Sequence, residues 1–183
     1  MNYARGFVFS WDTGYRGANA GEAEMNDANS GDGNTFPHRV DIPPGRLVSR
    51  GHPAGDFLEA YDWEVLEEDV GRLRIDAHLP AHLLNPQKQL FGGFTPAYVD
   101  LVSLHAVRAG PDRRTTAMFP GHWTATVNMR VDYYEPILGP RFIVESEVEH
   151  RRGKTSLVVT RMYQDDVLAT FAITTMRSMQ LPD

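Results

Sequence analysis

Asp100 lies in the run Phe91-Gly92-Gly93-Phe94-Thr95-Pro96-Ala97-Tyr98-Val99-Asp100-Leu101-Val102-Ser103-Leu104, and that run reads as a helix buried on most sides, opened by two glycines and closed by Gly110-Pro111. A carboxylate in such a helix costs free energy unless it is paired, protonated or used in chemistry. N–H groups at a helix start can hold a developing negative charge, so Gly92 and Gly93 supply a candidate anion hole beside the acid. An acid next to an anion hole can activate or orient water, or attack directly, at a carbonyl carbon. The plainer alternatives are an Asp100 that pairs with an arginine or caps a neighbouring backbone, and a glycine pair at a crossing where only glycine fits.

Other residues carry weaker signals. Asn85-Pro86 is an ordinary turn signal, although the Asn85 amide could also reach a reacting centre. Thr126 falls on the polar side of an alternating strand, where threonine is common. Arg151, Arg152 and Lys154 form the densest basic cluster of an acidic chain. They could bind phosphates, Arg by forked hydrogen bonds and Lys as a point charge, or simply solvate a hairpin turn. His78 and His82 are four apart, but a strand and Pro80 separate them and no third ligand is evident, so no metal is expected. Ser103, three residues on, shares the face of Asp100 only roughly and His105, five on, not at all, which argues against a Ser-His-Asp triad.

Composition bounds the rest. The chain has 183 residues, 42% of them hydrophobic, with a formal net charge of -6 and no cysteine. It can bury a core as one domain with an extension. Disulfides and cysteine nucleophiles are excluded, the charge disfavours bulk nucleic-acid binding, and no apolar run approaches the ~20 residues of a membrane span. No signal-peptide stretch is evident, so a cytoplasmic protein is expected by default.

These residues need elements to position them. Residues 1–50 read as a Gly/Asn/acidic extension: Gly17 to Asn34 lacks Val, Ile, Leu and aromatic residues, while Phe7, Val8, Phe9 and Trp11 form an apolar cluster able to dock. Residues 51–183 read as one folded body. Period-2 patterns predict strands over Phe57–Leu66, Gly71–Leu79, Trp123–Tyr133, Arg141–Glu149, Thr155–Tyr163 and Val167–Met176. Short links after the helix predict a four-strand meander of antiparallel hairpins. The class is therefore α+β, a curved antiparallel sheet of about six strands wrapped around one long central helix.

From about His52 to Arg177 this chain resembles the hotdog-fold acyl-CoA thioesterases of the phenylacetate-pathway, 4-hydroxybenzoyl-CoA thioesterase-like type. The motif is an Asn, six residues to a His-Gly-Gly, then seven residues to an Asp or Glu on the central helix. Asn85, Gly92, Gly93 and Asp100 keep that spacing, and Thr126 through Pro136, Gly139 and the Arg152-Gly153-Lys154 turn match the later pattern. The resemblance implies hydrolysis of acyl-CoA in a cleft shared by two subunits of a homodimer or dimer of dimers, with no metal or redox cofactor. It casts Asp100 as base or nucleophile, Gly92 as oxyanion donor, Thr126 as holder of the water and Asn85 as loop support. Phe91, Gly93, Arg151, Arg152 and Lys154 would bind substrate, and Phe94, Tyr98 and Trp123 could join Phe91 along an acyl channel or form plain core. One departure stands out: Phe91 occupies the place of the family's His. It keeps open a non-hydrolytic protein that binds acyl-CoA or an acyl carrier. A hotdog dehydratase or hydratase ranks third, because its His-marked stretch is missing.

Overall fold

A computed structural model describes residues 42–109 and 122–180. The readings at Phe7 to Trp11, Gly17 to Asn34 and Gly110-Pro111 lie outside the described residues, as does the side chain of Trp123. The elements are a short helix α1 (Pro53–Phe57), a 3-10 turn (Ala60–Asp62), strands β1 (Glu64–Asp69) and β2 (Arg72–His78), a second 3-10 turn (Ala81–Leu83) and helix α2 (Thr95–Arg108). Strands β3 (His122–Tyr133), β4 (Arg141–Arg152), β5 (Thr155–Gln164) and β6 (Val167–Gln180) follow. All six strands form one antiparallel sheet in the order β1-β2-β4-β5-β6-β3. The α+β layout of a curved six-stranded sheet and one long helix is as expected.

Two sequence expectations fail. Phe57–Leu66 is not a strand: Pro53 opens α1, His52 caps it through a Gly55 N–H bond to Nδ1 at 2.9 Å, and the strand starts only at Glu64. Proline at the first helical turn explains the helix, since it fixes φ where its missing N–H costs nothing. Nor are the last four strands a meander. β4–β5 and β5–β6 are hairpins, but β3 pairs with β6 at the far edge and β4 crosses to pair with β2. The link between β3 and β4 carries Pro136 and Pro140, which cannot donate to a ladder, and buries Ile137, so it serves as a crossover rather than a turn.

α2 fills the concave side of the sheet. None of its residues is fully exposed, as an apolar helix wrapped by strands requires. Trp63 stacks on Tyr98 with ring centroids 5.0 Å apart, and Phe142 meets Tyr98 edge-on at 5.1 Å. The Tyr98 hydroxyl donates to the His78 carbonyl at 3.0 Å, which ties the first turn of α2 to the end of β2. Leu73, Ile75 and Ala77 of β2 and Phe142 and Val144 of β4 close the core, which also takes in Leu47 and Val48. In the middle of this core, Thr160 bonds to Ser103 at 2.8 Å and to Ser146 at 2.7 Å, a buried chain of three hydroxyls.

Candidate active site

The loop ahead of α2 is built by Asn85. Its side-chain oxygen accepts from the N–H groups of Gln87 at 2.9 Å and Gln89 at 3.0 Å, and its own N–H donates to the Gln89 carbonyl at 2.7 Å. An asparagine amide used this way imitates a backbone turn, so Asn85 supports the loop. Leu90 N–H then donates to Ile137 O at 2.8 Å and Phe91 N–H to Leu83 O at 2.9 Å, which fixes both sides of the loop exit.

Gly92 and Gly93 follow in a turn rather than in the helix itself; α2 starts at Thr95-Pro96, with Phe94 N–H closing the turn onto Phe91 O at 2.8 Å. The N–H groups of Gly92 and Gly93 have no acceptor among the described residues. The ring of Phe91 lies over Gly93 so closely that a Cβ there would stand 2.6 Å from Cε1. Phe91 is half exposed and packs edge-on against Phe94, which in turn meets Phe57. A pocket of about 360 Å³ opens beside Gly92, with Gln89, Thr95, Tyr133, Glu135 and Thr170 on its walls.

Asp100 is half-buried on α2 and accepts a short hydrogen bond at Oδ1 from Thr126 Oγ1. Oδ2 has no protein donor among the described residues. The contact depends on a bulge. β3 pairs Thr126 with Met176 and Asn128 with Thr175, so Val127 is the extra residue, and it is 61% exposed. Met129 and Val131 pack on the core. Strict alternation back from them would turn Thr126 outward, and the extra residue turns it toward the helix instead. The polar-side placement of Thr126 expected from the sequence is therefore corrected by one inserted residue.

One chain does not bring the two halves together. Asp100 and Thr126 do not line the pocket at Gly92. α2 places Asp100 five residues beyond Thr95, about 140° around the axis and about 7–8 Å along it, so the acid lies on a different side of the helix from the residue that lines the pocket. The basic cluster lies at the other end. Arg151 Nη2 donates to Val107 O at 2.8 Å, where a cation complements the helix C-terminus, while Arg152 and Lys154 stand exposed at the hairpin. Tyr98 is fully buried core rather than channel lining. His78 faces Glu59 at 3.4 Å and His82 bonds to Phe57 O at 2.9 Å; among the described residues no three potential ligands converge. Among these residues, too, no helix is long and apolar enough to cross a membrane. Tyr133 escaped the sequence reading, because nothing in alternation shows that its hydroxyl reaches Gly92.

A single apolar helix in the grip of a six-stranded antiparallel sheet of this order is the hotdog fold. The model of the thioesterase superfamily matches residues 87–169, from the loop ahead of α2 into β6. Solved structures agree on the fold. A phenylacetic acid degradation-related protein from Ralstonia eutropha has 22% identity and a TM-score of 0.55, covering 70% of this chain and 92% of its own. The PaaI protein of the Escherichia coli phenylacetic acid degradation operon has 12% identity and a TM-score of 0.58, covering 72% and 89%. A Streptococcus pneumoniae protein, described as a hypothetical thioesterase with coenzyme A, has 16% identity and a TM-score of 0.54, covering 67% and 89%. No curated protein matches the chain significantly.

Proposed function

We propose that this protein hydrolyses acyl-CoA thioesters to a free acid and coenzyme A, with Asp100 as the base. The observation that carries the reading is the Thr126–Asp100 hydrogen bond. Thr126 occupies Oδ1 and orients the carboxylate, so Oδ2 takes a proton from water as the water oxygen adds to the thioester carbon. The oxyanion that forms is held by the Gly92 N–H, with Gly93 allowing close approach. The tetrahedral intermediate then expels the thiolate, which leaves with the proton as the free thiol of coenzyme A. Asn85 keeps the loop in shape, Phe91 and Gly93 border the acyl group, and Arg152 and Lys154, with Arg151 behind them, face the phosphates.

The reading needs a second copy of the chain. Among the described residues β3 is an open sheet edge, with Val127 and Tyr133 exposed along it. Antiparallel pairing of two β3 edges about a two-fold axis between Met129 and Arg130 puts Thr126 of one copy opposite Tyr133 of the other. Asp100 of one copy thereby approaches Gly92 of the other, where within one chain Asp100 does not line the pocket at Gly92. The homodimer, alone or doubled, is part of the proposal.

The test follows free thiol released from a panel of short, medium, long and aryl acyl-CoA esters, by the parent and by Asp100→Asn. The reading expects turnover by the parent and a loss of at least about a hundredfold in the folded variant. Equal rates would falsify the mechanism. The half-exposed Phe91 in place of a His supports a second reading, a non-hydrolytic acyl-CoA binder; that protein would bind the same esters in calorimetry and release no thiol.

A further inference from the structure

We propose that Tyr133 is a positioning residue that holds the Gly92–Gly93 peptide so that the Gly93 N–H serves as a second donor of the anion hole beside the Gly92 N–H; the inference rests on the reading of this turn as the donor to a thioester oxygen. The Tyr133 hydroxyl donates to the Gly92 carbonyl oxygen at 2.9 Å. A peptide unit is planar and trans, so fixing that carbonyl also fixes the N–H of Gly93, which points the opposite way. The turn needs such a hold. Without Cβ atoms, two successive glycines have the widest backbone freedom available to a chain, and the unbonded N–H groups on both leave the carbonyl as the handle.

Tyr133 is suited to the task because its own backbone is held. It pairs with Thr170 of β6, and the next two N–H groups, of Tyr134 and Glu135, both donate to Ala169 O, at 2.9 and 3.2 Å. The ring only brushes the glycine: a Cβ at Gly92 would meet Cε1 at 3.7 Å, an ordinary contact. The hydroxyl–carbonyl bond is therefore what joins strand and turn. Half exposed, it competes with water and adds little stability. Its effect is on direction. Both partners also line the pocket at the turn, so the clamp sits at the wall of the space a substrate would enter.

Tyr133→Phe deletes the hydroxyl and keeps the ring. The expected result is a kcat lowered at least about tenfold, since oxyanion donors act in the transition state. KM should stay within about twofold, because ground-state binding is untouched. The melting temperature should move by no more than about 2 °C. Independently of activity, the backbone 15N order parameter of Gly93 should fall from a rigid value near ~0.85 toward ~0.6 in the variant. An unchanged kcat overturns the proposal, and so does an unchanged Gly93 order parameter. A parent chain that releases no thiol from any acyl-CoA sinks the hydrolase reading instead, and the Gly93 measurement then decides the clamp alone.

Discussion

Thr126 reaches Asp100 because β3 carries one residue more than its partner strand at that point. Val127 bulges outward, and the hydroxyl that regular alternation would send away from the helix is delivered to the helix carboxylate.

Thr126→Val keeps the shape of the side chain and removes the donor. Asp100 then loses the bond that orients Oδ1, and turnover should fall about ten- to a hundredfold with the fold intact. Thiol release and circular dichroism on the same preparation check this; a variant as fast as the parent removes Thr126 from the mechanism.

Deleting Val127 removes the bulge without touching either partner. With Met129 and Val131 still seated in the core, Thr126 turns outward, and activity should drop as far as in Thr126→Val. Retained activity would mean that the strand re-registers elsewhere.

Arg151→Ala separates two roles. As a cap on the Val107 carbonyl, Arg151 should contribute about 1 kcal/mol, read from the urea midpoint. A raised KM for acyl-CoA with unchanged stability would instead assign the guanidinium to substrate phosphates.

Tyr98 predicts an alkaline limit on stability. Burial, reinforced by the nearby charge of Glu59, pushes its phenol well above the ordinary tyrosine range. The folded state keeps a proton that the unfolded chain gives up near pH ~10. This contribution is therefore fully present below pH ~10 and is lost as pH rises beyond it. Melting curves between pH 8 and 11 should show the decline, and Tyr98→Phe should flatten it, at a cost of about 1–2 kcal/mol near neutrality from the lost bond to His78 O.

The fold was largely legible because strong periodicities carry it. β2 alternates without a break, and α2 is too apolar to be a surface helix. The partners of β3 were not legible: a short link looks like a hairpin until Pro136, Pro140 and the buried Ile137 turn it into a crossover. Of the proposed site, Asp100, Gly92 and Asn85 are legible in the sequence through the resemblance their spacing carries. The bulge at Val127 and the clamp of Tyr133 on Gly92 could not, because both arise from pairing with distant segments. Arg151 reads in the sequence as a phosphate ligand or a solvated turn residue, and its bond to Val107 O, which depends on where α2 ends against β4, is not visible there.

The buried hydroxyl chain of Ser146, Thr160 and Ser103 bears on the acid as well. An apolar cylinder in an apolar trough can roll or slide at little cost, since dispersion contacts are much alike in neighbouring settings. A hydrogen-bonded serine on that cylinder has one setting that satisfies it. Ser103 follows Asp100 by three residues, less than one turn of α2, so seating its hydroxyl against Thr160 sets the compass bearing of the carboxylate. The trio works as a keyway: it indexes the helix so that its single acid comes to rest at the strand bearing Thr126.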